Sequence, residues 1–153
     1  MRNGSPVRPG GDESRGEGSA VADGTKAQLA RWAGASGCHL LVLFGSSASG
    51  KAKRPRDVDL ALLFADLPGA ERRLSIIGEL QDLCGRQRVD VVYIRPETDP
   101  VLRFEIFRHG TPIYESRAGL FVEEAVRAIS LHEDALPFRR ALREHLRKSE
   151  VLA

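Results

Sequence analysis

Two apolar runs separated by a short polar segment constrain the fold of this chain more than any other feature. The first run, Leu40 to Phe44, stops at Gly45-Ser46, and the second opens at Asp57 and continues to Phe64. A continuous apolar run is typical of a strand buried on both faces, and a glycine allows the chain to turn sharply. The sequence therefore predicts a strand, a tight turn, a loop and a second strand within residues 40–64.

The acidic pair Asp57 and Asp59 indicates metal chemistry at the start of the second strand. In an extended strand, residues i and i+2 project from the same face, about 6.5 to 7 Å apart. Like charges placed this way repel unless a cation binds between them, and two Mg²⁺ ions about 3.5 to 4 Å apart would fit there. Across the loop, the backbone amides and hydroxyls after the first strand can hold phosphate oxygens. We therefore expect a phosphate cradle beside a metal platform.

A third acidic residue, Asp90, lies near the start of the β-branched run 88–94. Aspartate is disfavoured in strands, and a carboxylate there costs free energy unless charge or hydrogen bonds compensate it. Between the two acidic strands, residues 70–84 show a helical period, with Gly85 closing the helix. The order strand, helix, strand predicts an α/β arrangement. The apolar positions expected to face inward on that helix are Leu74, Ile77, Leu80, Leu83 and Cys84.

These features resemble the DNA polymerase β-like nucleotidyltransferase superfamily. The shared pattern is Gly45-Ser46, ten residues, then Asp57-x-Asp59, and the resemblance extends over roughly residues 40–115. The short chain resembles the minimal nucleotidyltransferase branch, which includes MntA-type antitoxins. The resemblance implies a small mixed β-sheet with flanking helices.

The resemblance also implies an activity and a site. Proteins of this branch transfer AMP from ATP to a hydroxyl, and Asp57, Asp59 and Asp90 would be the catalytic residues that hold two Mg²⁺ ions. Gly45, Ser46 and Ser47 would bind the phosphates of the ATP donor. MntA-type antitoxins add AMP to a tyrosine of a partner HEPN-domain toxin, so a HEPN toxin is the expected partner.

Two other functions stay open at this point. The acceptor could be a small molecule, as in aminoglycoside nucleotidyltransferases, or the chain could neutralise a toxin by binding alone. Many minimal members have Arg where this chain has Ser49, and Ser where it has Arg56; these differences bear on triphosphate binding and substrate choice. The loop cations Lys51, Lys53 and Arg54 could neutralise a triphosphate, face an acidic partner surface or be solvated. The sequence favours none of these over the others.

Composition agrees with one soluble domain. The chain has 153 residues, is 42% hydrophobic and 29% charged, and carries a net charge of +2, which does not favour a general nucleic-acid binder because the cations are spread along the chain. No apolar stretch approaches the roughly 18 residues of a membrane span, and residues 1–24 lack the apolar core of a secretory signal. We expect a cytoplasmic protein in which Cys38 and Cys84 are free structural thiols.

Three segments follow from the sequence: a disordered tail at residues 1–24, a nucleotidyltransferase domain at 25–117, and a C-terminal helical segment at 118–153. Thr25 is a candidate N-cap of a first helix reaching about Ala35, on which Trp32 is expected to pack in the core rather than stack on a base. Residues 99–109 predict another helix, followed by an edge strand at 111–115. On this helix, the residues expected to face inward are Leu102, Ile106 and Phe107.

The C-terminal helical segment is expected to be interrupted at Pro137. After the proline, Phe138, Leu142 and Leu146 recur every four residues among several arginines. Such a basic amphipathic helix can dock on a partner, bind a second copy of the chain or pack on its own domain. The sequence does not choose among these three.

Overall fold

The structure, a computed structural model, describes residues 21–45, 57–85 and 87–151. These residues form four strands and four helices. The strands are β1 (Leu40–Phe44), β2 (Asp57–Leu63), β3 (Arg88–Tyr93) and β4 (Thr111–Glu115). The helices are α1 (Asp23–Ser36), α2 (Ala70–Leu83), α3 (Pro100–His109) and α4 (Leu120–Val151).

The strands form one mixed sheet in the order β3-β2-β1-β4. Strand β1 is antiparallel to both of its neighbours, and β2 and β3 are parallel. The parallel pair is joined through α2, which confirms the predicted strand, helix, strand unit. Strand β4 lies at the sheet edge, as predicted, and its pairing with β1 shifts register between Leu41 and Val42. Pro112 lies at that irregularity, where a residue without an N–H is tolerated.

The sheet is covered on both faces, which explains why β1 is apolar throughout. On one face, Leu41 and Leu43 belong to a core cluster that includes Leu29 of α1 and Leu80 of α2. On the other face, Leu40 and Val42 belong to a second cluster that includes residues of α3 and α4. Because side chains alternate along a strand, β1, β2 and β3 each contribute to both clusters, whereas Ile113 and Tyr114 of β4 pack against the first. The predicted α/β fold with flanking helices is therefore confirmed.

Helices α1 and α2 differ in detail from the prediction. The N-cap of α1 is Ala22, and the helix begins at Asp23. The N-cap lies three residues before the predicted Thr25, because Val21 is buried and anchors the chain there. Residues 23 and 24 of the predicted tail are thus helical; residues 1–20 lie outside the described part of the chain. On α2, Leu74 was expected inward but is 72% exposed, and Ile76 is buried in its place.

Helix α3 is capped by Asp99, whose Oδ1 accepts hydrogen bonds from the amides of Val101 and Leu102. Ile106 and Phe107 are buried as predicted. The predicted inward position of Leu102 is wrong, because that side chain lies at the surface. A charged residue, Arg103, turns inward beside it.

A buried ion pair joins α3 to α4. The Arg103 Nη2 atom lies 2.6 Å from Glu124 Oε2, and both side chains are at most 5% exposed. Arg103 Nη1 also donates to the carbonyl of Arg95 at 3.1 Å, and Arg127 binds the other oxygen of Glu124 at 2.6 Å. A buried charge needs such partners, so the pairing explains why Arg103 displaces the expected leucine.

Helix α4 continues through Pro137 without interruption, so the predicted break there is wrong. A proline in a helix interior removes one hydrogen bond to the carbonyl four residues earlier, here that of Glu133. Both residues are exposed, so water can bind the carbonyl. No helix among the described residues is long and apolar enough to cross a membrane.

Candidate active site

The sheet register brings the predicted acidic residues to neighbouring positions. Asp59 is paired with Asp90 across the parallel strands β2 and β3. On its other side, Asp59 is paired with Phe44, the last residue of β1. Asp59 therefore lies on a central strand, between the end of β1 and the third carboxylate.

All three aspartates occupy the same face of the sheet. Val58 and Leu60 of β2, like Val89 of β3, belong to the core cluster on the α1 and α2 side. Since neighbouring residues in a strand project to opposite faces, Asp57, Asp59 and Asp90 project to the face that α3 and α4 cover. The acidic positions thus share one sheet face and one end of strands β2 and β3.

Gly45 provides the space that Asp59 occupies. The glycine has a φ of 70°, in the left-handed region that other residues rarely adopt. A Cβ atom built at this position would also collide with Oδ2 of Asp59. The backbone conformation therefore favours glycine at the turn after β1, and an added Cβ would also force the Asp59 carboxylate to move.

Burial and neighbouring charges raise the pKa of Asp59 above its ordinary value. The largest cause is desolvation, followed by the negative charges of Asp90 and then Asp57. Both effects disfavour the ionised carboxylate. A cation bound at this face would offset that cost, and carboxylate oxygens are the ligands that hard divalent ions such as Mg²⁺ prefer. The donor chemistry at these positions fits such an ion.

The side chains do not form a ready-made metal site, however. Within the three described ranges, no group of three or more His, Cys, Asp or Glu side chains could hold a metal ion. The strand register already places Asp59 beside Asp90. For the three aspartates to bind a metal ion together, their side chains would have to rotate. The assignment of Asp57, Asp59 and Asp90 as metal ligands and catalytic residues remains a proposal.

The predicted phosphate-binding residues are only partly described. Gly45 is described, whereas Ser46 and Ser47 lie outside the described residues. The same holds for the loop cations and for Ser49 and Arg56. Their roles stay predictions.

Arg88 is a residue of this site to which the sequence reasoning assigned no role. It is paired with Asp57 across β2 and β3, and its Nε atom lies 3.9 Å from Oδ1 of Asp90. Both side chains of that contact are more than half exposed, so the ion pair adds little stability. The signal in the sequence is its position two residues before Asp90, which puts both on one strand face.

Trp32 lies outside this site, on the opposite side of the sheet. Its ring packs against the core cluster of that face, and its Nε1 atom donates to Glu79 Oε2 at 2.6 Å. That hydrogen bond, with further ones from Ser75 and Arg72, lowers the pKa of Glu79 to about 2. The tryptophan therefore ties α1 to α2 from a half-buried position at the edge of the predicted core.

The two cysteines are buried free thiols. Burial raises the pKa of Cys38 to about 11, although backbone hydrogen bonds at Leu40 and Leu63 act in the lowering direction. Burial also raises the pKa of Cys84. Neither is a reactive thiolate at neutral pH.

The fold is similar to that of several solved structures. A chain in the crystal structure of a toxin–antitoxin with AMP-PNP is 23% identical, with a TM-score of 0.66, and the match covers 86% of this chain and 100% of that one. A chain of the toxin–antitoxin MntA-HpeT mutant D39ED41E is 22% identical, with a TM-score of 0.67 and coverage of 84% and 98%. A chain of a tri-AMPylated Shewanella oneidensis HEPN toxin in complex with an MNT antitoxin is 21% identical, with a TM-score of 0.63 and coverage of 84% and 97%.

No curated protein matches this chain. The family described as Polymerase beta, Nucleotidyltransferase matches residues 35–118, more than half of the chain. That range contains all four strands, the turn at Gly45 and the three aspartates. The chain belongs to the polymerase β nucleotidyltransferase family.

Proposed function

We propose that this protein transfers AMP from ATP to a hydroxyl group in a reaction that depends on Mg²⁺. The observation that carries the proposal is the pairing of Asp59 with Asp90, beside a glycine that accommodates the Asp59 carboxylate. Family membership supports a nucleotidyltransferase activity in general. The donor, the metal and the acceptor are the finer parts of the proposal.

The proposed roles follow from charge and position. Asp57, Asp59 and Asp90 would hold two Mg²⁺ ions, and the turn residues Gly45, Ser46 and Ser47 would hold the phosphates of ATP. Bound Mg²⁺ would lower the pKa of the acceptor hydroxyl and offset the charge on the leaving pyrophosphate. The protein itself contributes position and electrostatics, so no covalent intermediate with the enzyme is needed.

The proposed acceptor is a tyrosine of a HEPN-domain toxin, which makes this chain the antitoxin of a pair. Two similar structures support this partner: one is a toxin–antitoxin with AMP-PNP, and one contains an AMPylated HEPN toxin with its MNT antitoxin. The buried free thiols are typical of the reducing cytoplasm, where we place the reaction.

Incubation with α-labelled ATP, Mg²⁺ and the HEPN-domain toxin proposed as its partner tests the proposal. We expect label on the partner, and a loss of about a thousandfold in the Asp57→Asn, Asp59→Asn double variant, because metal stabilisation of the reacting charges is worth several kcal/mol. Asp66→Asn is the matched control, since Asp66 lies in an exposed turn away from the three aspartates.

Three other results would contradict the proposal. Labelling that persists in the double variant would remove the catalytic role of the aspartates. Neutralisation of the toxin without any labelling would instead support an antitoxin that acts by binding. Labelling of an aminoglycoside in place of the partner would make the acceptor a small molecule.

A further inference from the structure

One apolar stripe runs along the whole of α4, and its two halves have different environments. The stripe recurs every three or four residues, which keeps it on one helix face. In the first half, Leu120 and Ala128 are buried against the domain, with the ion-paired Glu124 between them. In the second half, the same face carries Phe138, Leu142 and Leu146.

The second half of the stripe is exposed. Phe138 is 72% exposed, Leu142 46% and Leu146 54%. Nearer the domain, His132 still stacks on Phe104 of α3, with ring centroids 4.2 Å apart. We call residues 138–149, which rise about 18 Å along the helix axis, the distal helix. Of the three alternatives that the sequence leaves open, packing of Phe138, Leu142 and Leu146 on their own domain is therefore excluded.

The charge of the distal helix limits what can cover this stripe. It carries five cations, Arg139, Arg140, Arg143, Arg147 and Lys148, against the single carboxylate Glu144. Among the described side chains, none of these five cations forms an ion pair. Two copies of such a helix would bring like charges together, which costs several kcal/mol at an interface. The complementary surface is apolar and bordered by carboxylates.

We propose that the distal helix is a docking element for a partner protein that presents an apolar groove lined at its edges by Asp and Glu. Phe138, Leu142 and Leu146 would fill the groove, as in other helix-in-groove complexes, and the arginines would face the carboxylates. The inference rests on the proposed function in one respect only, namely that the partner is the HEPN protein that accepts AMP.

The position of α4 relates docking to transfer. The first half of α4 packs on the sheet face to which the three aspartates project, and the distal helix continues the same helix beyond the domain. Tethering raises the effective concentration of an acceptor group. Loss of docking should therefore raise KM for the acceptor protein and leave KM for ATP unchanged.

Isothermal titration calorimetry of the full-length chain with the purified HEPN protein, without ATP, tests the docking proposal. We expect Phe138→Asp together with Leu142→Asp to raise Kd about 30-fold or more, as loss of anchors at the centre of an interface does. Arg143→Glu should weaken binding about tenfold, and NaCl should weaken binding of the unsubstituted chain. Val126→Asp is the matched control, because Val126 is 59% exposed on the opposite side of α4.

Each other outcome overturns the proposal. Unchanged Kd in the double variant, or equal loss in Val126→Asp, would remove the distal helix as the docking surface. A dimer in light scattering that the double variant disrupts would make the occupant a second copy. Binding to phosphatidylserine vesicles, with no binding to the HEPN protein, would make it a membrane surface.

Catalysis and docking can fail separately in this design. The Asp57→Asn, Asp59→Asn variant should bind the HEPN protein normally, because neither residue lies on α4. If no AMP transfer is found but binding depends on Phe138 and Leu142, the docking inference stands and the catalytic proposal fails. If transfer occurs with an unchanged acceptor KM in the distal-helix variant, the docking inference fails alone.

Discussion

At the scale of single residues, Gly45 and Asp59 constrain each other. We predict that Gly45→Ala destabilises the protein by more than about 2 kcal/mol, because it adds a strained left-handed residue and a collision with the Asp59 carboxylate. Chemical denaturation measures the change. Gly37→Ala is the control: Gly37 has a φ of 78° but nothing lies within 4 Å of an added Cβ, so it should cost only about 1 kcal/mol. Equal costs at the two glycines would contradict the collision.

The raised pKa of Asp59 predicts a pH-dependent change in stability. Because Asp59 ionises less readily in the folded chain than in the unfolded one, its ionisation lowers the free energy of unfolding as the pH rises above the ordinary Asp value of about 3.9. Asp59→Asn should therefore raise Tm at pH 7 in EDTA, and the gain should disappear below about pH 3.5. Thermal scans of Asp59→Asn and of the exposed control Asp66→Asn check this. A gain that persists at low pH would point to a cause other than ionisation.

At the scale of secondary-structure elements, the Arg103–Glu124 pair holds α3 against α4. We predict that Arg103→Met alone lowers the free energy of unfolding by about 3 to 5 kcal/mol, because Glu124 stays buried without its Arg103 partner. Adding Glu124→Leu should recover much of that loss, since an apolar pair is often as stable as a buried ion pair. Urea denaturation of the single and double variants measures both steps.

A surface pair provides the comparison for this prediction. Arg117 and Glu123 lie 2.7 Å apart with both side chains about half exposed, so Arg117→Ala should leave the free energy of unfolding nearly unchanged. If the surface variant were as destabilising as Arg103→Met, burial would not explain the importance of the α3–α4 pair.

Pro137 makes a second prediction at this scale. The proline removes one hydrogen bond inside an otherwise continuous helix, so Pro137→Ala should strengthen α4 locally by up to about 3 kcal/mol. Amide hydrogen exchange of residues 138–148 should become slower, while exchange in the sheet stays unchanged. Ser130→Ala, at an exposed position before the proline, is the control. Unchanged exchange in Pro137→Ala would show that the proline does not limit the distal helix.

At the scale of the whole molecule, stability and the proposed partner binding depend on different parts of α4. Removal of residues 137–153 should change the free energy of unfolding by no more than about 0.5 kcal/mol, because Phe138, Leu142 and Leu146 are exposed. Removal from residue 120 onward should unfold the domain, since Leu120 and Ala128 belong to the core cluster on the α3 side. Urea denaturation of both truncated chains measures the difference. A large loss in the shorter truncation would mean that the distal helix supports the domain.

Most of the fold and part of the site could be predicted from local sequence patterns. The apolar run of β1, the acidic pair on one face of β2 and the glycine that ends β1 all depend on residues within a few positions of one another. Sequence periodicity detects such local relations, because the direction of side chains repeats every two residues in a strand and every 3.6 residues in a helix. The family resemblance rested on these features, and the family match over residues 35–118 confirms it.

Long-range contacts decided the rest. Whether Asp59 would meet Asp90 depended on the register of β2 against β3, and the inward turn of Arg103 depended on Glu124, 21 residues away. The sequence of α4 carries a similar stripe in both halves of the helix, yet only the first half packs against the core. Tertiary packing made these choices, because a side chain is buried only where another element covers it.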